Sequence, residues 1–278
     1  MTKKFSVVVV VPTRNSGKTL RACLQSVVSQ TYPCELWVVD NNSSDDTLPI
    51  AQSFTPHVHT VGPERSTQRN FGAFTSRSSF ILFVDSDMVL SSDVVADCVA
   101  LNCDAVIIRE IFHGKGFWSR CKCLEKSLYF GTGDGEAPRF FTRSVFVALE
   151  GYDERLIGTE DIDLCKRVKR GGYSLCYSHS FIHHSDDDST FFRILKKRYY
   201  YALTLQRYLD NNVSESSSEA RFIRPAFVYH WRMLAKDPVH AFGLFVMRIF
   251  EGVAVVYGLY RGKHMNDVSR DVDLLYGK

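Results

Sequence analysis

The chain lacks an unbroken apolar stretch of the ~20 residues that a membrane-crossing helix needs. The nearest, Val239 to Tyr260, carries His240, Arg248 and Glu251. It also lacks a charge excess: 34 basic and 31 acidic residues leave a net charge of +3, too small to argue for nucleic acid, and no nucleic-acid partner is expected. Eight cysteines are scattered, and only Cys121 and Cys123 lie close together. A lone C-x-C has neither the paired spacing of a zinc site nor the density of a disulfide scaffold, so the cysteines are expected to be buried thiols in a reducing compartment. The apolar run Val7 to Val11 follows Lys3 and Lys4, but Pro12 stops it, and it is too short for a signal peptide. Cytoplasmic residence is the expectation. Two phosphate-binding signatures are missing as well. No G-x-G-x-x-G follows the first apolar run, and no G-x-x-x-x-G-K-[ST] occurs anywhere, which counts against a dinucleotide oxidoreductase and a P-loop NTPase.

What is present centres on Phe80-Ile81-Leu82-Phe83-Val84-Asp85-Ser86-Asp87. A run apolar on both faces reads as a buried strand of a mostly parallel sheet. It ends in two carboxylates, at the place where open α/β sheets bind ligands. Two acidic side chains there can hold a hard divalent cation, and the cation can bridge phosphate oxygens. The alternative is an acidic turn that caps the next helix.

The 278 residues allow one large domain, or a core with an appendage. Strand patterns at Phe5 to Val11, Leu36 to Val39, His57 to Val61 and Phe80 to Val84 alternate with helical spacing at Lys18 to Gln30, from Ser44 or Asp45 towards Phe54, and at Ser66 to Ser76. That alternation predicts a parallel α/β sheet. Further on, helices are expected over 93–101, 118–129, 145–149 and from Glu160 to near Gly171, and strands over 105–109, 139–142, 173–177 and 181–184. Gly131 to Gly135 must be a loop, and Asp186 to Asp188 a solvated acidic turn. The helix from Glu160 has acids in its first turn and Lys166, Arg167, Lys169 and Arg170 in its last, which suits the helix dipole. After about Ser189 the composition shifts to three predicted helices: a basic-aromatic one at 191–208, then 220–235 and 239–260, with a loop at 211–219.

Polar clusters therefore fall at strand or helix ends: Thr13/Arg14, Asp40, Arg69-Asn70, Asp85/Asp87 and Glu160/Asp161. The ordered segments Val9-Val10-Val11-Pro12-Thr13-Arg14-Asn15, Val38-Val39-Asp40-Asn41-Asn42-Ser43-Ser44-Asp45, Arg69-Asn70-Phe71-Gly72, Asp85-Ser86-Asp87 and Glu160-Asp161-Ile162-Asp163-Leu164 resemble those of a family 2 glycosyltransferase with the GT-A fold. The resemblance covers about residues 6 to 184. It implies a mixed, mostly parallel α/β sheet flanked by helices, here a catalytic domain over 1–188 with a helical C-terminal extension over 189–278.

The resemblance also implies roles. Pro12, Thr13, Arg14, Asn15, Asn42, Asn70, Ser86 and Glu160 would line the nucleotide-sugar pocket. Asp40 would bond the base, Arg69 would lie near base or phosphates, and Asp85 would face the ribose. Asp87 would bind Mn2+ or Mg2+, the D-x-D function. His183 or His184 would complete the metal shell, and since neighbours on a strand face opposite ways, at most one of the two points into the site. Asp161 would be the catalytic base, while Asp163, two residues on, reads as a structural ion pair. The implied reaction is inverting transfer of one sugar from a nucleotide-diphosphate sugar, a UDP-sugar being favoured, to a glycan or polyprenyl-linked acceptor. The Q-x-x-R-W of processive synthases is absent, Gln206-Arg207-Tyr208 not matching it. For the tail helices two readings stand: an interfacial surface on the inner face of an anionic membrane, or packing on the catalytic domain or in a homodimer. Two other functions fit less well: a catalytically silent scaffold, and a sugar-nucleotide pyrophosphorylase, whose glycine-rich basic loop Pro12 to Gly17 does not supply.

Overall fold

The computed structural model describes residues 6–132, 136–186, 189–211 and 225–263. The chain divides into two compact units that interleave in sequence. The first holds Met1–Ile111, Ala137–Glu154 and Glu160–Ser185; the second holds Phe112–Glu136, Arg155–Thr159 and Asp186–Lys278.

In chain order the elements are β1 (Val7–Thr13), α1 (Leu20–Val28), β2 (Glu35–Asp40), α2 (Thr47–Gln52), β3 (Val58–Thr60), α3 (Arg65–Thr75), β4 (Phe80–Phe83), β5 (Met88–Leu90), α4 (Val94–Ala100) and β6 (Ala105–His113). Then follow α5 (Phe117–Ser127), β7 (Phe140–Thr142), α6 (Arg143–Ala148), α7 (Glu160–Arg170), β8 (Leu175–Ser185), α8 (Phe191–Asn211), α9 (Pro225–Tyr229), α10 (Trp231–Lys236) and α11 (Pro238–Lys263).

The first unit is built on a mixed sheet ordered β3-β2-β1-β4-β7-β6-β8-β5. Strand β1 is central because its valines are β-branched and apolar on both faces. Val7, Val9 and Val11 pack with Leu20, Cys23 and Leu24 of α1 and with α4. Val8 and Val10 pack on the other face with Ala73 of α3, Phe146 of α6, and Leu164 and Val168 of α7. All five valines are fully buried, and each contributes roughly 1.5 kcal/mol or more of transfer free energy.

Two features of this sheet position the site. Parallel pairing sets Thr13 beside Asp40 and Val10 beside Phe83, so the carboxyl ends of β1, β2 and β4 lie side by side. Antiparallel pairing then turns the other half of the sheet back towards them. Leu82 pairs with Phe140 in β7, and the Phe83 N–H donates to the Arg139 carbonyl at 2.9 Å. Met88 of β5 pairs with His184 of β8.

The structure differs from the sequence reading at four places. The short strand β5 follows directly on the acidic turn, where no strand was expected. The segment read as two strands over 173–177 and 181–184 is one strand, β8. The 220–235 helix is replaced in its described part by α9 and α10, separated at His230; residues 212–224, like 133–135, 187–188 and 264–278, lie outside the described residues. Finally, not all cysteines are thiols. Cys103 and Cys176 are joined in a disulfide, with Cα atoms 6.2 Å apart, so the reducing-compartment argument loses that pair. The other six cysteines are outside any disulfide, four of them buried.

The second unit is helical. Cys121 of α5, Ile194 of α8, Ala226 of α9, and Leu244 and Met247 of α11 form its main core. Helix α11 begins as a helix should, with Pro238 in its first position and Asp237 before it, whose carboxylate accepts from the His240 N–H at 3.3 Å.

Candidate active site

The ends of β1 and β2 form one hydrogen-bonded wall. The Thr13 hydroxyl donates to Asp40 at 2.8 Å, and Ser43 donates its N–H to the other Asp40 oxygen at 2.8 Å. Gln68 of α3, unnoticed in the sequence, donates to the Thr13 and Val39 carbonyls. The turns beyond these strands are stitched together: Asn15 accepts from the Ser44 N–H at 2.9 Å and donates its own N–H to Ser43. Asn15 and Asn42 both adopt φ of 49°, the left-handed conformation that asparagine tolerates best after glycine. Asp40 itself is fully buried with its oxygens occupied. As placed, it shapes the wall and has no exposed oxygen for a base. Pro12 is buried in β1, while Arg14 and Asn42 are exposed beside it.

The next turn carries Asp85, Ser86 and Asp87. The Ser86 hydroxyl donates to Ser16 at 2.8 Å, closing the β4 turn onto the β1 turn. Asp85 accepts from two arginines. Arg69 reaches one oxygen at 2.6 Å and Arg139 the other at 3.3 Å. Burial alone would raise the Asp85 pKa, but the two guanidinium groups hold it well below the usual carboxylate range.

Arg69 was expected near a ligand and is instead completely buried. It lies over the Tyr152 ring at 5.2 Å and ties Asp85 to Asp161, which it meets at 2.8 Å. Glu160 is buried next to Asp161, with Arg65 at 3.2 Å; burial, reinforced by Asp161, raises its pKa. Asp161, in the first turn of α7, has about a third of its side chain exposed. Asn70 also faces inward, donating to the Tyr152 carbonyl and accepting from the Tyr152 N–H, both at 2.9 Å. It anchors the turn at Gly151, whose φ of 68° requires glycine there. Asp163 pairs with Arg167 at 2.8 Å one helical turn on, the structural role expected of it.

The antiparallel strands contribute Arg139, Glu110 and His184. Arg139 donates to Glu110 at 2.6 Å, Glu110 meets His184 Nδ1 at 2.9 Å, and His184 Nε2 faces Asp87 at 3.3 Å. A chain of alternating charge thus runs Asp161–Arg69–Asp85–Arg139–Glu110–His184–Asp87, entirely within the first unit. Burial pushes the His184 pKa down, but the hydrogen bonds to Asp87 and Glu110 outweigh it and lift the ring to about 9. Glu110 is held at about 2 against its burial, by Arg139 and then His184. His183, on the opposite face of β8, packs edge-on against Phe181. Neither Glu110 nor Arg139 was singled out in the sequence. The signal was there: each flanks an apolar strand run, as Asp85 does.

The donor set at Asp87 fits a divalent cation. Asp87 is partly exposed, an imidazole nitrogen faces it, and a carboxylate holds the far ring nitrogen, the usual support of a metal-binding histidine. Among the described residues no group of three or more such side chains gathers. A cation held there would take Asp87 and His184 from the protein and further oxygen ligands from elsewhere.

A mixed sheet whose parallel strands end in an acidic D-x-D turn, with a second carboxylate pair at a facing helix start, defines a GT-A-type scaffold. Comparison with known proteins agrees. Residues 8–131 match the family model described as Glycosyl transferase family 2. The O-antigen chain rhamnosyltransferase WbaN of Salmonella anatum is 26% identical over 208 residues, 65% of this chain and 66% of that protein, just under two thirds of its length. The S. aureus TarS 1–349 structure in complex with UDP superposes with a TM-score of 0.53 at 17% identity, covering 94% of this chain and 90% of that one. The mannosyltransferase PcManGT from Pyrobaculum calidifontis, in complex with GDP-Man and Mn2+, superposes with a TM-score of 0.60 at 15% identity, covering 100% of this chain and 82% of that one. At such identities the two structures speak for the fold alone. Residues 8–131, a little under half of the chain, are thus similar to glycosyltransferase family 2, and the fold is GT-A.

Proposed function

We propose that this protein transfers a single sugar, with inversion, from a nucleotide-diphosphate sugar to an acceptor hydroxyl, and that Asp161 is the base. The observation that carries this reading is the buried Arg69 tie: it holds Asp161, a third exposed, in fixed relation to the Asp85–Asp87 turn. A base has to be held in place while keeping an accessible oxygen, and Asp161 has both.

Asp161 takes the proton of the acceptor hydroxyl as that oxygen bonds to the anomeric carbon. The bond from that carbon to the diphosphate breaks on the opposite side, and the diphosphate leaves with the electron pair. One displacement inverts the centre without a covalent enzyme intermediate. Asp87 and His184 would hold Mn2+ or Mg2+, which would supply Lewis-acid neutralisation of the leaving diphosphate. Thr13, Arg14, Asn15, Asn42 and Ser86 lie at or beside the strand-end turns, where a nucleoside would be received. Asp40, Arg69 and Asn70 support those turns from within. A UDP-sugar donor is favoured by the TarS likeness, and a lipid-linked glycan acceptor at the cytoplasmic membrane face by the O-antigen relative.

Calorimetry with UDP, GDP, dTDP and CDP, with and without Mn2+, tests the donor side on wild type and Asp87→Ala. Metal-dependent binding of one nucleotide, weakened in the variant, is expected. With the donor so identified, Asp161→Asn is expected to lower kcat by about 10²–10⁴ with little change in nucleotide affinity. A folded protein that binds no nucleotide would overturn the reading and leave a silent scaffold.

A further inference from the structure

Helix α11 is inverted relative to a helix of a water-soluble bundle. Such a helix buries its apolar stripe and exposes its charges. In the middle of α11 the charges, Arg248 and Glu251, point inward, while Arg261 near its end is exposed. Glu251 is buried and accepts from Lys122 of α5 at 3.0 Å and Arg198 of α8 at 2.9 Å. Arg248 bridges Glu251 at 3.1 Å and Glu125 of α5 at 3.4 Å. Lys122 also pairs with Glu125 at 2.6 Å, so the ions close on one another inside the second unit.

The opposite face is apolar from end to end. Phe242, Phe245, Ile249, Val253, Val256 and Tyr260 recur at three- and four-residue spacing, and each is at least 43% exposed. The stripe is about 27 Å long at the rise of an α-helix. Trp231 and Tyr229, from α10 and α9 of the same unit, are 59% and 78% exposed. Basic side chains are exposed as well: Arg193, Lys196 and Lys197 on α8, Arg232 and Lys236 on α10.

The packing of α11 is of the same kind. A Cβ at Gly258 would fall 2.6 Å from the Ala202 Cβ and 2.7 Å from the Tyr199 carbonyl oxygen, and one at Gly262 would strike the Leu203 carbonyl. The G-x-x-x-G pair therefore lets α11 and α8 approach backbone to backbone, the small-residue packing common among helices in lipid. Contrary to the sequence expectation, and despite His240, Arg248 and Glu251, Pro238–Gly262 is long and apolar enough to cross a membrane, by length and composition only.

We propose that the outward stripe of α11 lies in the hydrocarbon of one leaflet of an anionic phospholipid bilayer, with the exposed lysines and arginines of α8 and α10 at the headgroups. Three observations converge on lipid. Charges within lipid-embedded helices face the protein interior and pair there. A continuous stripe of this size is rare on a soluble monomer. Amphipathic units of this type pair an apolar face with basic residues that meet anionic headgroups. The proposal concerns the second unit and is independent of sugar transfer.

Full-length protein would be sedimented with 100-nm vesicles of phosphatidylcholine and phosphatidylglycerol at 7:3, beside the double variant Val253→Glu/Val256→Glu. Both positions are exposed, so the variant keeps its fold, checked by circular dichroism and by unchanged nucleotide binding. Wild type is expected to partition onto the vesicles at least tenfold more strongly than the variant. A dye on Phe242→Cys, in the stripe, is expected to shift to the blue on vesicle addition. Equal sedimentation of wild type and variant, or wild type staying in solution, would overturn the proposal. So would a dimer in analytical ultracentrifugation that the double variant dissolves without any vesicle binding, since the stripe would then cover a second copy. Loss of nucleotide binding would count against the transferase reading alone.

Discussion

Arg69 offers the sharpest test of how the site is held together. Its guanidinium is completely buried and meets Asp85 at 2.6 Å, Asp161 at 2.8 Å and Glu160 at 3.9 Å, while its Nε finds no acceptor. Arg69→Met keeps the volume and removes the charge. Three carboxylates then lose their shared cation. Glu160 is nearly inaccessible to water, Asp85 is 16% exposed and Asp161 34% exposed, so only Asp161 regains much hydration. Breaking a buried ion pair by removing one partner costs about 3–5 kcal/mol. Asp85 keeps Arg139, which puts the expected loss near the lower end, about 3 kcal/mol, or roughly 6–12 °C in Tm for a unit of this size. Urea unfolding of wild type, Arg69→Met, Asp85→Asn and the double variant measures it. Asp85 and Arg69 should couple by about 1–3 kcal/mol, the double variant being less destabilised than the sum of the singles. Arg69→Met should also reduce turnover while nucleotide affinity stays within a few-fold, because Asp161 loses its anchor and the strand-end wall does not. A loss below about 1 kcal/mol, with no coupling to Asp85, would refute the view that Arg69 is the tie between the two acidic clusters.

Other predictions draw on separate features. Glu110→Gln removes the carboxylate that orients His184, and calorimetry should show Mn2+ affinity in the nucleotide complex lowered about 10–100-fold, with metal-free nucleotide binding unchanged. Gly72→Ala places a Cβ 2.6 Å from Val10 Cγ1 in the fully buried β1; overpacking of about 1–3 kcal/mol should outweigh the ~1 kcal/mol of helix propensity gained, read as a net loss in denaturant unfolding. In the second unit, burial raises the Glu125 pKa, but Lys122, Arg198 and Arg248 together hold it well below its ordinary 4.5. A depressed carboxyl contributes stability above the unfolded value and loses it as pH falls towards the folded one. Unfolding free energy should therefore drop below pH 4.5 in wild type, and drop less steeply in Glu125→Gln, when both are followed by urea titration at pH 6, 4 and 3.

Much of the first unit was legible because its signals are local. Val7 to Val11 and Phe80 to Val84 are apolar on both faces, which marks central strands whatever lies elsewhere in the chain. The helix from Glu160 to Arg170 declares itself through acids at one end and bases at the other. Asp85, Asp87, Glu160 and Asp161 stood out because a charge directly after a buried run, or at a helix start, has few other uses. Helix α8 was legible from the basic and aromatic composition that sets in after Ser189.

The direction in which side chains turn was decided by tertiary structure. Asp40, Arg69 and Asn70 sit in motifs that pointed to ligand contact, yet the fold aims them inward, at Thr13 and Ser43, at Asp85 and Asp161, and at Tyr152. A residue type records what a group can bond, and only the packed neighbours settle with which partner. Glu110, Arg139 and His184 meet because β7, β6 and β8 pair antiparallel or across the sheet far along the chain, and no local periodicity encodes such pairings. The alternation of β8 allowed either His183 or His184 to face Asp87, and its register with β5 selected His184. Cys103 and Cys176 became a pair through the same distant contacts. Helix α11 is apolar by composition, and whether its charges looked out or in depended on Lys122 and Arg198 meeting Glu251 from two other helices. Composition and period belong to the sequence alone; partner, facing and register emerge where distant segments compete for the same space.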